Sequence, residues 1–101
     1  MADRFSTFRE FYPFYLSEHA HPLCRRMHFV GTSLAIAAVA AAVATGNAWW
    51  LAAAPVAGYA FAWVGHYRFE RNRPATLRHP VYSLIGDFAM YRDMLLGRIR
   101  W

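Results

Sequence analysis

The sequence has few charged residues, no lysine and a single cysteine. The low charge content and the single cysteine limit the classes of protein to which the chain can belong. Charged residues make up 17% of the 101 positions and hydrophobic residues 57%, whereas about 25% of an ordinary globular domain is charged. Cys24 alone cannot form an intramolecular disulfide, which fits a reducing compartment. Length and composition therefore favour one domain, 1–101, that is embedded in a membrane.

Motifs of the common soluble enzymes are missing as well. The chain has no G-x-S-x-G, no phosphate-binding glycine loop, no C-x-x-C and no H-E-x-x-H, and it lacks the H-x-x-H-H boxes of membrane desaturases. The first long apolar run begins only near Phe29, behind several acidic residues, so we expect no signal peptide. Histidines and carboxylates are left as the candidate functional groups.

A long uncharged stretch runs from Phe29 to Gly65 and is divided by the turn signal Thr45, Gly46, Asn47. Each half has about 17 apolar residues, at the short end for a membrane-spanning helix. Tryptophans stand at the ends of the second half, as expected at a lipid–water interface. We predict an all-α fold, an integral membrane helical hairpin with two short spans. The alternative is a soluble bundle with two buried Ala-rich helices.

Helical stripes of apolar residues flank this hairpin. The N-terminal segment, Met1 to Leu16, carries aromatic residues at spacings of three and four, and we expect Pro13 to break its helix or restart it. The C-terminal segment, His79 to Trp101, is predicted to be an amphipathic helix, because its charged residues disfavour a third span. Its apolar stripe consists of Val81, Leu84, Ile85, Phe88, Tyr91 and Leu95.

All eleven basic residues are arginine, the net charge is +5, and every arginine lies outside the uncharged stretch. By the positive-inside rule, both ends of the hairpin then face the cytoplasm, in a bacterial inner membrane or, in a eukaryote, the endoplasmic reticulum. Binding to nucleic acid is disfavoured, because the arginines adjoin apolar spans rather than a polar groove-binding element.

A hairpin brings its two ends together, and here those ends carry histidines. His28 opens the first span and His66 closes the second, so we expect them to be close in space. His19, His21 and His79 flank these points on the same side. Neutral imidazole is the commonest protein ligand for transition metals, so a site for iron, zinc or another metal is one interpretation. Polar interfacial histidines without a ligand are the other.

Glu70 follows His66 at i, i+4, and on a continued helix the two side chains share one face. Glu70 is therefore a candidate site residue, and surface ion pairs with Arg71 or Arg73 are the alternative. These two arginines either fix the membrane topology or bind a substrate carboxylate through bidentate hydrogen bonds.

Two blocks carry these residues, FYLSEHAHPLCRRMHFVGTSLAI and VGHYRFERNRPATLRHPVYSLIGDFAMY. They resemble the 2-hydroxy fatty acid dioxygenase family, small membrane proteins related to the yeast alpha-oxidation dioxygenase of phytosphingosine breakdown. The resemblance covers the chain from about Phe5 to Gly97. It implies an Fe(II)-dependent dioxygenase that uses molecular oxygen to shorten a 2-hydroxy fatty acid, or a related lipid, by one carbon.

The resemblance also implies the residues of the site. Its metal ligands would be His19, His28 and His66, with Glu70 or His79 to complete the set. Two other functions stay open. One is a non-enzymatic membrane scaffold or lipid-binding protein with structural histidines, and the other is a metal- or proton-handling membrane protein, for which the spans offer few polar residues. Small residues along the spans would also allow a homodimer.

Overall fold

The structure, a computed structural model, describes residues 5–74 and 78–101, so the first four residues of the predicted N-terminal segment lie outside the described part. All regular elements in the described part are helical, which confirms the all-α class. They are α1 (Phe8–Ser17), α2 (Pro22–Thr45), α3 (Trp49–Val64), a short π-helix (Gly65–Glu70) and α4 (Pro80–Leu95).

Helix α1 begins at a side-chain cap and continues through its proline. The Thr7 hydroxyl accepts a hydrogen bond from the Glu10 backbone N–H, which satisfies one of the free donors of the first turn. The expectation that Pro13 breaks the helix or restarts it is wrong, because α1 is uninterrupted from Phe8 to Ser17. Phe11 and Tyr15, on the two sides of the proline, are fully buried against α4, and this packing holds the helix together across the missing N–H.

Helices α2 and α3 form the antiparallel hairpin, and the turn lies where the sequence signal places it. Gly46 ends α2 with a left-handed φ of 72°, a conformation that costs glycine little. The side-chain oxygen of Asn47 then accepts a hydrogen bond of 3.0 Å from the Trp49 N–H at the start of α3. The two helices approach closely at Gly31, where a Cβ atom would lie 3.0 Å from the carbonyl oxygen of Gly58.

Among the described helices, α2 is the one that is long and apolar enough to cross a membrane. Helix α3 has 16 residues, fewer than the roughly 20 that a span needs. It ends at Val64 because the chain continues as the π-helix, which carries His66, Arg68 and Glu70. One span is therefore supported by length and composition, and the second remains a proposal.

Helix α4 turns its apolar stripe outward. Val81 is 68% exposed and Leu95 63% exposed, while the inward face is mostly small or polar. The buried positions of α4 are Ser83, Gly86, Ala89, Met90, Asp93 and Met94. The Tyr15 ring lies against Gly86, where a Cβ atom would come within 2.8 Å of it. Helix α4 thus packs against both α1 and α2 and leaves apolar side chains on the surface.

Candidate metal centre

The hairpin brings three histidines and one cysteine into a single buried cluster. His19 comes from the linker between α1 and α2, Cys24 and His28 from the first turns of α2, and His66 from the π-helix. One potential ligand atom from each of the four side chains lies within 4.8 Å of the others. The linker is fixed by Arg25, whose guanidinium donates to the carbonyl of His19 at 3.2 Å. This cluster is a group that could hold a metal ion.

Each of the three imidazole rings is oriented by an oxygen acceptor at its Nδ1 atom. The pairs are His19 with the Tyr15 carbonyl (2.6 Å), His28 with the Cys24 carbonyl (2.9 Å) and His66 with the Asn72 side-chain oxygen (2.7 Å). Because these partners are oxygen acceptors, Nδ1 carries the proton in each ring. Nε2 then keeps its lone pair, which is the arrangement that metal-binding histidines adopt.

The Nε2 atoms of His19 and His28 lie 3.0 Å apart, and the two rings are almost perpendicular. With both protons on Nδ1, two lone pairs face each other without a donor between them. A cation between them removes this repulsion. Two nitrogens that bind one metal at about 2.1 Å in adjacent octahedral positions are separated by about 3 Å. The donor set and its spacing therefore fit a transition metal.

Burial keeps these imidazoles in the neutral form. Burial lowers the pKa of His19 well below its usual range, and the neighbouring His28 and His66 rings lower it further. Burial also lowers the pKa of His66. Neutral imidazole is the form that coordinates a metal, so the cluster is ready to bind one at neutral pH.

A small cavity of about 10 Å³ lies between the rings, enough for one water-sized particle. Ser83 and Asp87 of α4 line it together with the three histidines. The Ser83 hydroxyl oxygen is buried and has no hydrogen-bond partner among the described residues. An orphaned polar atom at the wall of such a cavity fits a space that takes up a polar occupant.

Tyr15 and Asp87 form a pair beside the cluster. The Tyr15 ring stacks on His19 with the ring centroids 4.0 Å apart, and its hydroxyl donates to the Asp87 carboxylate. Burial raises the pKa of Asp87 to about 6. In the sequence, Asp87 served only to disfavour a third span. Nothing in its local pattern links a position on α4 to the histidines of the hairpin.

The π-helix and the residues that follow it hold His66 in place. Arg71 ends the π-helix with a left-handed φ of 58°. The Asn72 backbone N–H donates to the His66 carbonyl at 3.1 Å, and the Asn72 side chain donates to the carbonyl of Glu18 at 3.1 Å. Asn72 therefore joins the His66 ring to the linker that carries His19. Sequence reasoning missed it, because one amide between arginines gives no signal.

The structure brings His19, His28 and His66 together and gives Glu70 and His79 other surroundings. A Glu70 carboxylate oxygen accepts a hydrogen bond from the His21 backbone N–H at the start of α2, and Glu70 is outside the group of potential ligands. The His79 ring lies among aromatic rings of the N-terminal segment, with centroids 5.3 to 6.1 Å away. These rings are Phe5, Phe11 and Phe14.

The remaining candidates lie around the cluster. Arg71 and Arg73 are exposed after the π-helix, and neither lines the small cavity. The His21 ring caps α2, accepting from the Leu23 N–H at 3.1 Å. The Cys24 sulfur lies 3.8 Å from Nδ1 of His28, the atom already bonded to a carbonyl. The i, i+4 spacing of Cys24 and His28 is the sequence signal that could have placed this cysteine at the site.

A comparison with protein-family models matches residues 5–99 to a family described as "2-hydroxy-palmitic acid dioxygenase Mpo1-like". The chain belongs to the Mpo1-like family. The Mpo1-like match runs from the aromatic segment to beyond the end of α4 and includes every residue of the cluster. A search of curated proteins and a search of solved structures each gave no match.

Proposed function

We propose that this Mpo1-like protein is an iron-dependent dioxygenase that shortens 2-hydroxy fatty acids by one carbon at a membrane. The observation that carries the proposal is the 3.0 Å approach of two Nε2 atoms, from His19 and His28, whose Nδ1 atoms both have oxygen acceptors. The family description, a 2-hydroxy-palmitic acid dioxygenase, supports the dioxygenase class and the substrate class, and the loss of one carbon is our proposal. The apolar side chains exposed on the helices support the proposed location at a membrane.

We assign the ligand set to Nε2 of His19, His28 and His66. Three nitrogen ligands leave other coordination positions open, as in non-haem iron oxygenases. Iron is favoured over zinc, because zinc has no redox chemistry. Bound iron would supply the centre at which oxygen is activated. In the proposed reaction, one 2-hydroxy acid and one O2 give one shortened acid, one CO2 and one water. Atoms and electrons balance in this equation, so no external reductant is needed.

The chain's own residues would then orient the substrate and exclude water. Asp87 borders the small cavity, and burial raises its pKa to about 6, so it can take up and release a proton just below neutral pH. We assign to Asp87 the hydrogen bond with the 2-hydroxyl group of the substrate. The Tyr15 hydroxyl donates to the Asp87 carboxylate and so holds the Asp87 side chain in place. The carbonyl acceptors at Nδ1 keep the imidazoles aimed at the centre.

The charged residues near the rim have supporting roles in this proposal. Arg71 and Arg73 are exposed, so they would attract the substrate carboxylate towards the site rather than hold it at the reacting atoms. Glu70 would stabilise the start of α2 through the His21 N–H, because a carboxylate is favourable at the N-terminus of a helix.

The exterior of the hairpin suits lipid. Large apolar side chains are exposed on α2, α3 and α4, among them Val43 at 82%, Trp49 at 82% and Val56 at 69%. Soluble monomers rarely expose so much contiguous apolar surface. We therefore place α2 and α3 in the membrane and the cluster at its cytoplasmic face, where the arginines lie.

The test is turnover by protein purified without oxygen and reconstituted with Fe(II). Given 2-hydroxypalmitate and O2, we expect pentadecanoate, detected by mass spectrometry. His28→Ala should abolish it and His79→Ala should retain it, because His79 lies outside the cluster. If iron-loaded wild-type protein forms no shortened acid, the enzymatic proposal is wrong, and the alternative of a lipid-binding or scaffold protein is favoured.

A further inference from the structure

A second, much larger cavity lies between α2, α3 and α4. Its volume is about 670 Å³, and its walls are almost entirely apolar. This volume is in the range of sites that enclose a small-molecule ligand. Along its length the cavity is lined by His28, Thr32, Ala35 and Ala40 of α2 and by Gly58 and Ala54 of α3.

The large cavity adjoins the small cavity of the histidine cluster. Four residues line both cavities, and they are His28, Tyr59, Ala62 and Asp87. These shared residues mark one end, and the other end lies near Val39, Ala40 and Ala54, towards the turn of the hairpin. A molecule whose polar head is at the cluster would therefore extend its tail along the groove.

The length of the groove can be estimated from α2. Its lining positions extend from His28 to Ala40, twelve residues apart, which corresponds to about 18 Å at about 1.5 Å per residue. A carbon–carbon bond of about 1.5 Å in an extended chain advances it by about 1.25 Å. The groove therefore accommodates about 14 carbons beyond the head.

The walls fit one thin, flexible chain. Ala35, Ala54 and Gly58 supply almost no side-chain bulk, and so they do not fill the groove that they line. Ile36 and Phe88, at the edge of the groove, are 44% and 49% exposed, so the groove opens sideways to the surface that we place in lipid. A membrane-dissolved acyl chain can enter through such an opening without crossing water.

We propose that this groove binds the acyl chain of the 2-hydroxy fatty acid and sets the longest chain that is turned over. The inference rests on the proposed function for the identity of the head group. The groove ends near Ala40 and Ala54, so bulk at these two positions should shorten the accepted chain.

The experiment compares Ala54→Phe and Ala40→Phe with Ala52→Phe, which makes the same change on the exposed face of α3 outside the groove. We expect each groove variant to lower kcat/KM for 2-hydroxypalmitate by about tenfold or more, since hydrophobic pockets discriminate on this scale. Turnover of 2-hydroxyoctanoate, which stops short of these positions, should be unchanged. Equal loss for both substrates, or the same loss in Ala52→Phe, would overturn the proposal.

A second measurement does not depend on turnover. A 2-hydroxypalmitate analogue with a photoreactive group at its terminal carbon should label the peptides that contain Ala40 and Ala54, and unlabelled 2-hydroxypalmitate should compete. Labelling spread over the exposed faces of α2 and α3 would show that the chain lies in bulk lipid, and the groove proposal would fail. If the label is in the groove but no acid is shortened, the reaction is wrong and the binding site stands.

Discussion

At the scale of single residues, Asp87 is the group whose position has the clearest energetic consequence. Its carboxylate is half-buried beside the aromatic ring of Tyr15, and burial raises its pKa to about 6 from an ordinary value of about 3.9. The folded protein therefore holds a proton at Asp87 more tightly than the unfolded chain does. Stability from this group is fully present below about pH 4 and is lost as the pH rises through about 6.

The variant Asp87→Asn should be more stable than the wild type above pH 6. Asparagine keeps an oxygen that accepts from the Tyr15 hydroxyl and removes the buried charge. In metal-free protein we expect a gain on the order of 2 kcal/mol at pH 8 and none at pH 4. The melting midpoint in detergent across this range is the measurement. Equal midpoints at pH 8 would show that the carboxylate is not destabilising.

The residues of the cluster differ in how far the sequence reveals them. The pairing of His28 with His66 follows from the two ends of a hairpin, and the sequence alone was enough to expect it. Asn72 and Asp87 could not be predicted, because their roles depend on contacts between segments that share no periodic pattern. The expectation for Glu70 assumed a regular helix, but Glu70 bonds to the His21 N–H at the start of α2.

At the scale of secondary-structure elements, the π-helix decides where His66 lies. Such segments are rare and occur often at functional sites. Gly65, its first residue, packs directly on α2, and a Cβ atom there would lie 3.1 Å from the Cys24 sulfur and 3.2 Å from its Cα. The backbone of α2 cannot move away cheaply, because it carries His28 one turn further along.

Gly65→Ala should therefore weaken metal binding by moving the π-helix away from α2. We expect at least a tenfold rise in the metal dissociation constant, as for other changes that disturb the orientation of ligands. Gly58→Ala is the matched control, because its Cβ would meet only the Ala35 Cβ at an ordinary 3.9 Å. Titration with Fe(II) or Co(II) measures both variants. Equal affinities would mean that this contact does not position His66.

The sequence predicts a turn or a helix end where neighbouring residues determine it. It does not predict one that depends on packing between distant segments. The turn at Gly46 and Asn47 follows from its own residues and was found. The break at Pro13 was wrong, because the burial of Phe11 and Tyr15 outweighs one missing hydrogen bond. The stripe on α4 was visible in the sequence, but a stripe does not show whether it faces a protein core or lipid.

At the scale of the whole molecule, the apolar side chains are largely outside and the polar cluster is inside. This distribution fits a membrane protein, in which lipid replaces water around the apolar faces. It also explains how a short chain can keep four potential ligands buried. The small and polar inward face of α4 closes the site from one side, while α2, the π-helix and the linker before α2 supply the potential ligands from the other.

A two-span hairpin predicts that its turn and its cluster lie on opposite sides of the membrane. Single substitutions Asn47→Cys, in the turn, and Ser17→Cys, at the exposed end of α1, test this, and the buried Cys24 is a built-in unreactive background. In sealed vesicles, a membrane-impermeant thiol reagent should label one of them from outside and the other only after lysis. Labelling of both from the same side would contradict the second span.

The central claim is that the three histidines hold one metal ion, and the metal content of the purified chain tests it most directly. Protein isolated without oxygen should contain one iron per chain. His66→Ala should lose the metal, whereas His79→Ala, which alters a histidine outside the cluster, should keep it. Metal-free wild-type protein that takes up no Fe(II), or equal iron in both variants, would contradict the account.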